Sequence, residues 1–576
     1  MKKLVQAFRQ LAPFDVSGET PRFERLPHLA IYLPKTGRVQ EVESGPRKLQ
    51  VRLQELAPMA RIREAVHQLR LFNRADMRLD ARERITRMII AETATVIADT
   101  YKKHVHAGGG LPEGEERRDA LGNCIALLEE LITSCKHLFK HDYALSDRKY
   151  RASRERIYAN GVRILELVRW EQRFLALRYQ QLSDKSWREA NQVFFALACV
   201  EDPDRRVPLI RDLEWCRSRE QGGGRAEASL SELFVSLQVF GVLDVVSWPA
   251  NLTRAVDSCL CRLREQLRPR PDEGEALGEN EVVIHATQNR PATFRREPAA
   301  SPPQVILDLA PLDRYLRRLH DELEQKTFVG ISDWKMLPDP LSRIPAGDAL
   351  GMLRFMCGRL RARERKEQRF PRFQQESQRI YPGFVECYRL FRDQAQADSM
   401  EVQENRLFRD ALAGHSAALA DRSADESESR WWVVDDSDGG MLVTTKETRY
   451  AVPMDVGQLV AFAPDESETP PRVGYITRMQ RRRQGYIDIA VVKIASTVEH
   501  IFLQRPAGEG KEQRYPALLI RSLANEWQVI VPPRRFFVSG APLIMGRGGE
   551  QMPLRLGELC IGRREFLVFQ ARSPGL

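Results

Sequence analysis

Histidine, cysteine and long apolar runs are all scarce in this sequence, and each shortage removes a class of protein. Nine cysteines among 576 residues (124, 135, 199, 216, 259, 261, 357, 387 and 560) are odd in number and never spaced as CxxC. That argues against a disulfide framework and against a zinc module. Cys259 and Cys261 stand two apart in a helical pattern, point in different directions and read as reduced, half-buried fillers. The longest apolar stretch, 237–248, contains Asp244 and stops at Pro249, well short of the ~20 residues that a transmembrane helix needs. The basic start Met1-Lys2-Lys3 is followed by an apolar run that Arg9 ends, so it lacks the roughly 7–15-residue core of a secretory signal. A cytoplasmic protein with no membrane insertion is expected.

Catalytic signatures are missing as well. The sequence has no GxxxxGK[ST] phosphate loop, no GxSxG elbow and no GxGxxG between a strand and a helix. His137 and His141 share a helix face, but Leu138 stands where a zinc peptidase carries glutamate. His104 and His106 sit beside Gly108–Gly110 with no third ligand in view. No catalytic residue, no metal and no cofactor are expected, and the chain does not read as an enzyme.

What is present is an ordinary globular composition, 43% hydrophobic and 29% charged, with a weak net charge of +10. At roughly 150 residues per domain the length suggests about three or four domains. Up to 267 the pattern is helical, clearest at Leu121, Cys124, Ile125, Leu128, Leu131, Ile132 and Cys135. Further stripes run through 49–75, 80–103, 153–181, 186–198 and 228–241. Residues 268–303, rich in Pro, Gly and charge, read as a linker with one short extended piece at Val282–Ile284. A second helical stretch carries Leu350, Leu353, Met356, Cys357 and Leu360 behind a candidate N-cap, Asp348.

After 431 the period changes to two, with short runs at Trp431–Val434, Gly457–Phe462, Val473–Thr477, Tyr486–Ile494, Trp527–Val531 and Phe566–Phe569. The fold class expected is therefore α+β and multidomain: an N-terminal all-α region, then an antiparallel β-barrel with extra strands. The expected divisions are 1–267 helical, 268–303 linker, 304–503 barrel domain with leading helices and a helical insertion near 384–420, and 504–576 a C-terminal β extension.

Two short segments carry concentrated chemistry. Residues 359–372 hold seven positive and two negative charges and are broken by Pro371. Arginines at such a junction can converge on phosphate oxygens with bidentate bonds; alone, the segment also reads as a solvated helix end that complements the dipole. The second segment is Trp431-Trp-Val-Val-Asp435-Asp436-Ser437-Asp438-Gly439-Gly440. Asp435 can accept hydrogen bonds from a base edge, Ser437 can donate one, and Gly440 can admit a flat ligand to the backbone. Alone, it is also an ordinary hairpin end.

Together the segments resemble the PilZ family of cyclic di-GMP receptors, whose signature is RxxxR in a leading arm followed by [D/N]xSxxG on a barrel strand. Arg365-Lys-Glu-Gln-Arg369 matches the first element, and Asp435-x-Ser437-x-x-Gly440 matches the second. Val473–Arg478 and Gly485–Val492 look like the family's later hairpin. The resemblance covers about 360–500. It implies that Arg365 and Arg369 clamp the phosphates and guanine faces of cyclic di-GMP while Asp435, Ser437 and Gly440 form the floor. Arg361 and Arg372 stand in reserve. The motifs lie 66 positions apart, farther than the family's usual few tens, and Phe384, Cys387, Tyr388 and Phe391 follow helical spacing between them, so a helical insertion between arm and barrel is expected.

Residues 421–438 hold seven acids and two arginines, which could instead neutralise the arm and leave a scaffold or interaction protein that binds no nucleotide. In that case the arginines would bridge to Asp425, Glu426 or Asp436. The receptor reading includes an unidentified protein partner docked on the helical region. The Arg478, Arg481, Arg482 and Arg483 turn beside Tyr486 is basic, yet one such turn is too narrow for nucleic acid, which is not an expected partner.

Overall fold

The computed structural model describes residues 29, 31–37, 46–106, 115–144, 149, 153–198, 202–210, 227–247, 253–263, 266–272, 274–294, 304–328, 346–361, 370–371, 377–397, 430–437, 439–451, 454–464, 470–482, 485–506, 514–534, 536–563 and 565–573. The helical front comprises α1 (Pro46–Glu55), α2 (Pro58–Arg74), α3 (Leu79–His106), α4 (Glu115–Tyr143), α5 (Arg154–Ala176), α6 (Asp184–Ala198), α7 (Leu230–Val242), α8 (Thr253–Leu263), α9 (Ala310–Phe328) and α10 (Ala346–Arg359), with a short antiparallel ribbon of β1 (Arg206–Pro208) and β2 (Glu227–Ser229) between α6 and α7. Local signals explain several ends. Pro58 at the first helical position splits the 49–75 stripe into two helices. Ser229 and Glu232 form a reciprocal capping box that starts α7. α10 begins at Ala346, two residues before Asp348, so that aspartate is not its cap. One apolar core runs continuously from Ile31 to Leu360.

The segment 268–303 is not a free linker. β3 (Pro269–Pro271) and β4 (Glu281–His285) flank β5 (Gln304–Asp308) in a three-stranded sheet. Val282 and Ile284 join the helical core. The extended piece expected at Val282–Ile284 is β4; β3 and β5 were missed because their pairing is non-local and Pro and Gly dominate the intervening residues.

The rear holds two closed antiparallel barrels, so the extra strands expected beyond the first barrel form a barrel of their own. In the first, β7 (Ser377–Pro382), β10 (Leu459–Pro464), β11 (Arg472–Arg481), β12 (Ile487–Lys493), β9 (Gly440–Thr445) and β8 (Arg430–Asp436) follow one another, and β8 pairs back onto β9. The two-residue strand β6 (Phe370–Pro371) also lies along β8. In the second, β13 (Ala495–Gln504), β14 (Arg514–Ser522), β15 (Trp527–Val531), β18 (Leu567–Arg572), β17 (Glu550–Gly562) and β16 (Pro542–Arg547) close the ring.

The helix α11 (Phe384–Ala397) is not placed between arm and barrel as expected. It follows β7, already a barrel strand, and precedes β8. Its Phe384, Cys387, Tyr388 and Phe391 pack with Leu459, Val473, Leu518, Ile530 and Phe566, drawn from both barrels. The helix therefore cements barrel to barrel.

Helical front and first barrel meet along a seam in which two residues adopt left-handed backbone. Tyr179 (φ 55°) follows α5 and Asp244 (φ 53°) follows α7; such conformations cost about 1–3 kcal/mol and persist where the surroundings dictate them. Tyr179 is buried in the barrel core. Its hydroxyl donates to Asp455 Oδ1 at 2.8 Å, and its carbonyl accepts from the Arg481 backbone N–H at 2.8 Å. Asp244 Oδ2 lies 2.9 Å from Arg359 of α10 and 3.6 Å from Arg478 of β11. Part of the basic turn noted in the sequence thus docks the barrel onto the helices. Among the described residues, no helix is long and apolar enough to cross a membrane.

Candidate functional site

The β8–β9 hairpin closes with reciprocal backbone bonds, Ser437 N–H to Gly440 O at 2.8 Å and Gly440 N–H to Ser437 O at 3.4 Å. The intervening sequence, Asp438-Gly439, is one that tight hairpin turns favour. The Ser437 hydroxyl donates to the Gly440 carbonyl at 3.0 Å. Its oxygen is left as an acceptor rather than the donor expected from the sequence. Gly440 also has a different reason to be glycine than ligand approach: a Cβ there would stand 2.9 Å from the Val491 carbonyl oxygen of β12. Gly439 faces open space.

Asp435 and Asp436 part company at a β-bulge. Val433 pairs with Val443, whereas Asp435 pairs with Leu442 and Asp436 with Met441, leaving Val434 over. Met441 and Val443 line the barrel interior, so Asp436 takes the inward side and Asp435 the outward side. The inward Asp436 is met by Lys493, whose ammonium lies 2.6 Å from Asp436 Oδ1 and 2.8 Å from the Ser437 carbonyl. The Lys493 side chain is 5% exposed, so the pair plugs one end of the barrel. Lys493 was missed in the sequence although its signal is present. It is the lysine that ends an inward row Ile487, Ile489, Val491.

The arm arrives at this hairpin. Phe370 pairs with Asp436 and Pro371 with Asp435, and Phe370 follows Arg369 directly in the chain. The two residues that follow the first motif thus pair with the start of the second, although the motifs lie 66 positions apart in sequence. Arg365, Arg369 and Arg372 lie outside the described residues, as do Asp425 and Glu426. Arg361 is committed elsewhere: it reaches Asp313 Oδ2 at 2.9 Å and Glu279 Oε1 at 3.1 Å, both in the helical front. In the basic turn, Arg482 Nε lies 2.6 Å from Asp488.

The other clusters carry less. Burial depresses the His137 imidazole to about 4, with the Arg82 charge adding to the effect. His320, Asp321 and Glu324 on α9 converge as a possible ligand group, but Arg354 donates to His320 Nε2 at 2.9 Å and pairs with Glu324 at 2.8 Å.

Residues 47–272, the helical front from α1 to β3, match the family model described as "Cyclic-di-GMP receptor FimW, N-terminal domain". No curated protein and no solved structure matches the chain.

Proposed function

We propose that the chain is a cytoplasmic cyclic di-GMP receptor, not an enzyme, whose first barrel is PilZ-like and binds the nucleotide between the Arg365–Arg369 arm and the β8–β9 hairpin. The observation that carries this is the β6–β8 pairing, which joins the end of the arm to Asp435 and Asp436. The likeness of residues 47–272 to the N-terminal domain of a cyclic di-GMP receptor family supports the same ligand from a separate part of the chain.

In this account Arg365 and Arg369 hold the two phosphates by bidentate, charge-assisted bonds. Asp435 accepts N–H bonds from a guanine edge, the Ser437 oxygen accepts another, and the Gly440 contact with Val491 sets the turn. Lys493 neutralises Asp436, which lowers the repulsion a dianionic ligand meets at the hairpin. The helical region 1–267 docks an unidentified protein partner, and α10 couples it to the barrel: it leads into the arm, and its Arg359 shares Asp244 with Arg478 of β11. Calorimetric titration of the full chain tests the reading. Saturable binding of cyclic di-GMP that GTP does not compete away is the expected result. Absence of heat across the accessible concentration range supports the scaffold that binds no nucleotide.

A further inference from the structure

The outer face of β8 carries a second set of groups suited to a nucleotide. Along this strand Trp431 (0% exposed) and Val433 (3%) fill the barrel, while Trp432 between them is 45% exposed. Large exposed aromatics are uncommon, and this one lies on the strand that ends in the Asp435–Gly440 hairpin. Cross-strand register fixes its company. Arg430 shares the outer face two residues earlier, opposite Arg379 of β7, and Trp432 itself stands opposite Ser377. In the other direction regular alternation would put Asp435 on the inner face with Val433. The bulge between Val433 and Asp435 reverses this and brings Asp435 onto the face of Trp432.

The order along the outer face is thus two cationic side chains, an indole and a carboxylate. Two residues along a strand advance about 7 Å, so Arg430 and Trp432 are neighbours on this face, and Asp435 follows one bulged step beyond.

We propose that Trp432 is the stacking platform for a guanine base of cyclic di-GMP, with Arg379 and Arg430 on its phosphate side and Asp435 at its Watson–Crick edge. This deepens the receptor reading and rests on it. Guanine is selected by the acceptor at the far end. A carboxylate takes two hydrogen bonds from N1–H and the N2 amino group of guanine, whereas adenine presents an acceptor at N1 that the carboxylate repels. A protein partner on the same indole would need no carboxylate at a fixed distance.

The test is titration of the full chain and two variants with cyclic di-GMP and cyclic di-AMP, by calorimetry and by intrinsic fluorescence. Trp432→Ala should weaken cyclic di-GMP binding about tenfold or more, the scale of one lost base-aromatic stack. Trp432→Phe should bind within about threefold of the wild type, because a ring remains. It should also lose most of the ligand-induced fluorescence change, a readout that a purely structural role would leave with the other tryptophans. Wild-type binding with unchanged affinity in Trp432→Ala would overturn the stacking role and leave the receptor reading standing. If the alanine variant does not fold, a fluorescence change in Trp432→Phe equal to the wild type's overturns it instead. Cyclic di-AMP binding as tightly as cyclic di-GMP would overturn the assignment of Asp435 to the guanine edge. No binding by the wild type overturns both readings.

Discussion

The helical front and the first barrel handle buried charge in opposite ways. In the front, Arg169 and Arg173 of α5 converge on a single carboxylate, Asp257 of α8, at the centre of the core. Arg169 reaches Asp257 Oδ1 at 2.9 Å and Arg173 Nε reaches Oδ2 at 2.8 Å, while Ser236 accepts from both arginines. Arg173 and Asp257 are 0% and 1% exposed. The Arg173 guanidinium also lies over the Phe240 ring at 4.1 Å, and Tyr101, packed edge-on against Trp170, bonds Thr253 nearby. The two guanidiniums and their hydrogen bonds outweigh the burial cost on Asp257 and hold its pKa below the ordinary value. The first barrel encloses apolar side chains and holds the inward pair Lys493 and Asp436 at the rim beside the hairpin. Charge in the front fixes how helices pack; charge in the barrel stands at the end of the β8–β9 hairpin.

Substitutions sharpen that contrast. The largest effect belongs to Asp257→Ala, which strands two buried arginines without their carboxylate. Loss of one partner of a buried pair costs about 3–5 kcal/mol, so thermal unfolding should begin far earlier, and substituting Lys493 should shift it much less. A comparable effect from the same region appears as pH dependence. Burial, aided by the Glu129 and Glu189 carboxylates and opposed by Lys136, pushes Glu171 up to about 8. The folded protein therefore holds a proton that the unfolded chain releases above its ordinary value of 4.5. Stability should fall as pH rises from there to about 8, and Glu171→Gln should flatten that slope in denaturant titrations.

Binding variants come next. Arg369→Ala and Arg365→Ala should each weaken cyclic di-GMP binding by about 1.5–3 kcal/mol in calorimetry. Arg482→Ala should change little, because its guanidinium pairs with Asp488. Smallest is Lys493→Met, which leaves the Asp436 charge facing the site and should lower affinity by about 1 kcal/mol, with Lys493→Arg recovering part of it. Full affinity in Lys493→Met would remove the electrostatic distinction drawn for the barrel.

The strand period after 431 and the helical stripes before 267 were legible because each element's buried face recurs within a few residues. β12 shows this in Ile487, Ile489 and Val491, all buried. β7 was not legible: in Ser-Gln-Arg-Ile-Tyr-Pro only Ile380 is buried, so no period emerges. Placing the first strand at 431 then made α11 look like an insertion ahead of the barrel. The motif residues Asp435, Ser437 and Gly440 were readable as a hairpin, but what separates Asp435 from Asp436 is a single bulged residue, Val434, which only the pairing with β9 reveals. The adjacency of arm and hairpin is likewise a non-local pairing, invisible at a separation of 66 positions.

Amide hydrogen exchange on the full chain, with and without saturating cyclic di-GMP, addresses the site itself. The account predicts slowed exchange across 360–371 and 430–440 together, because a ligand held between arm and hairpin orders both. Slowed exchange confined to 47–272, with arm and hairpin unchanged, would place the nucleotide in the helical front and contradict the barrel site.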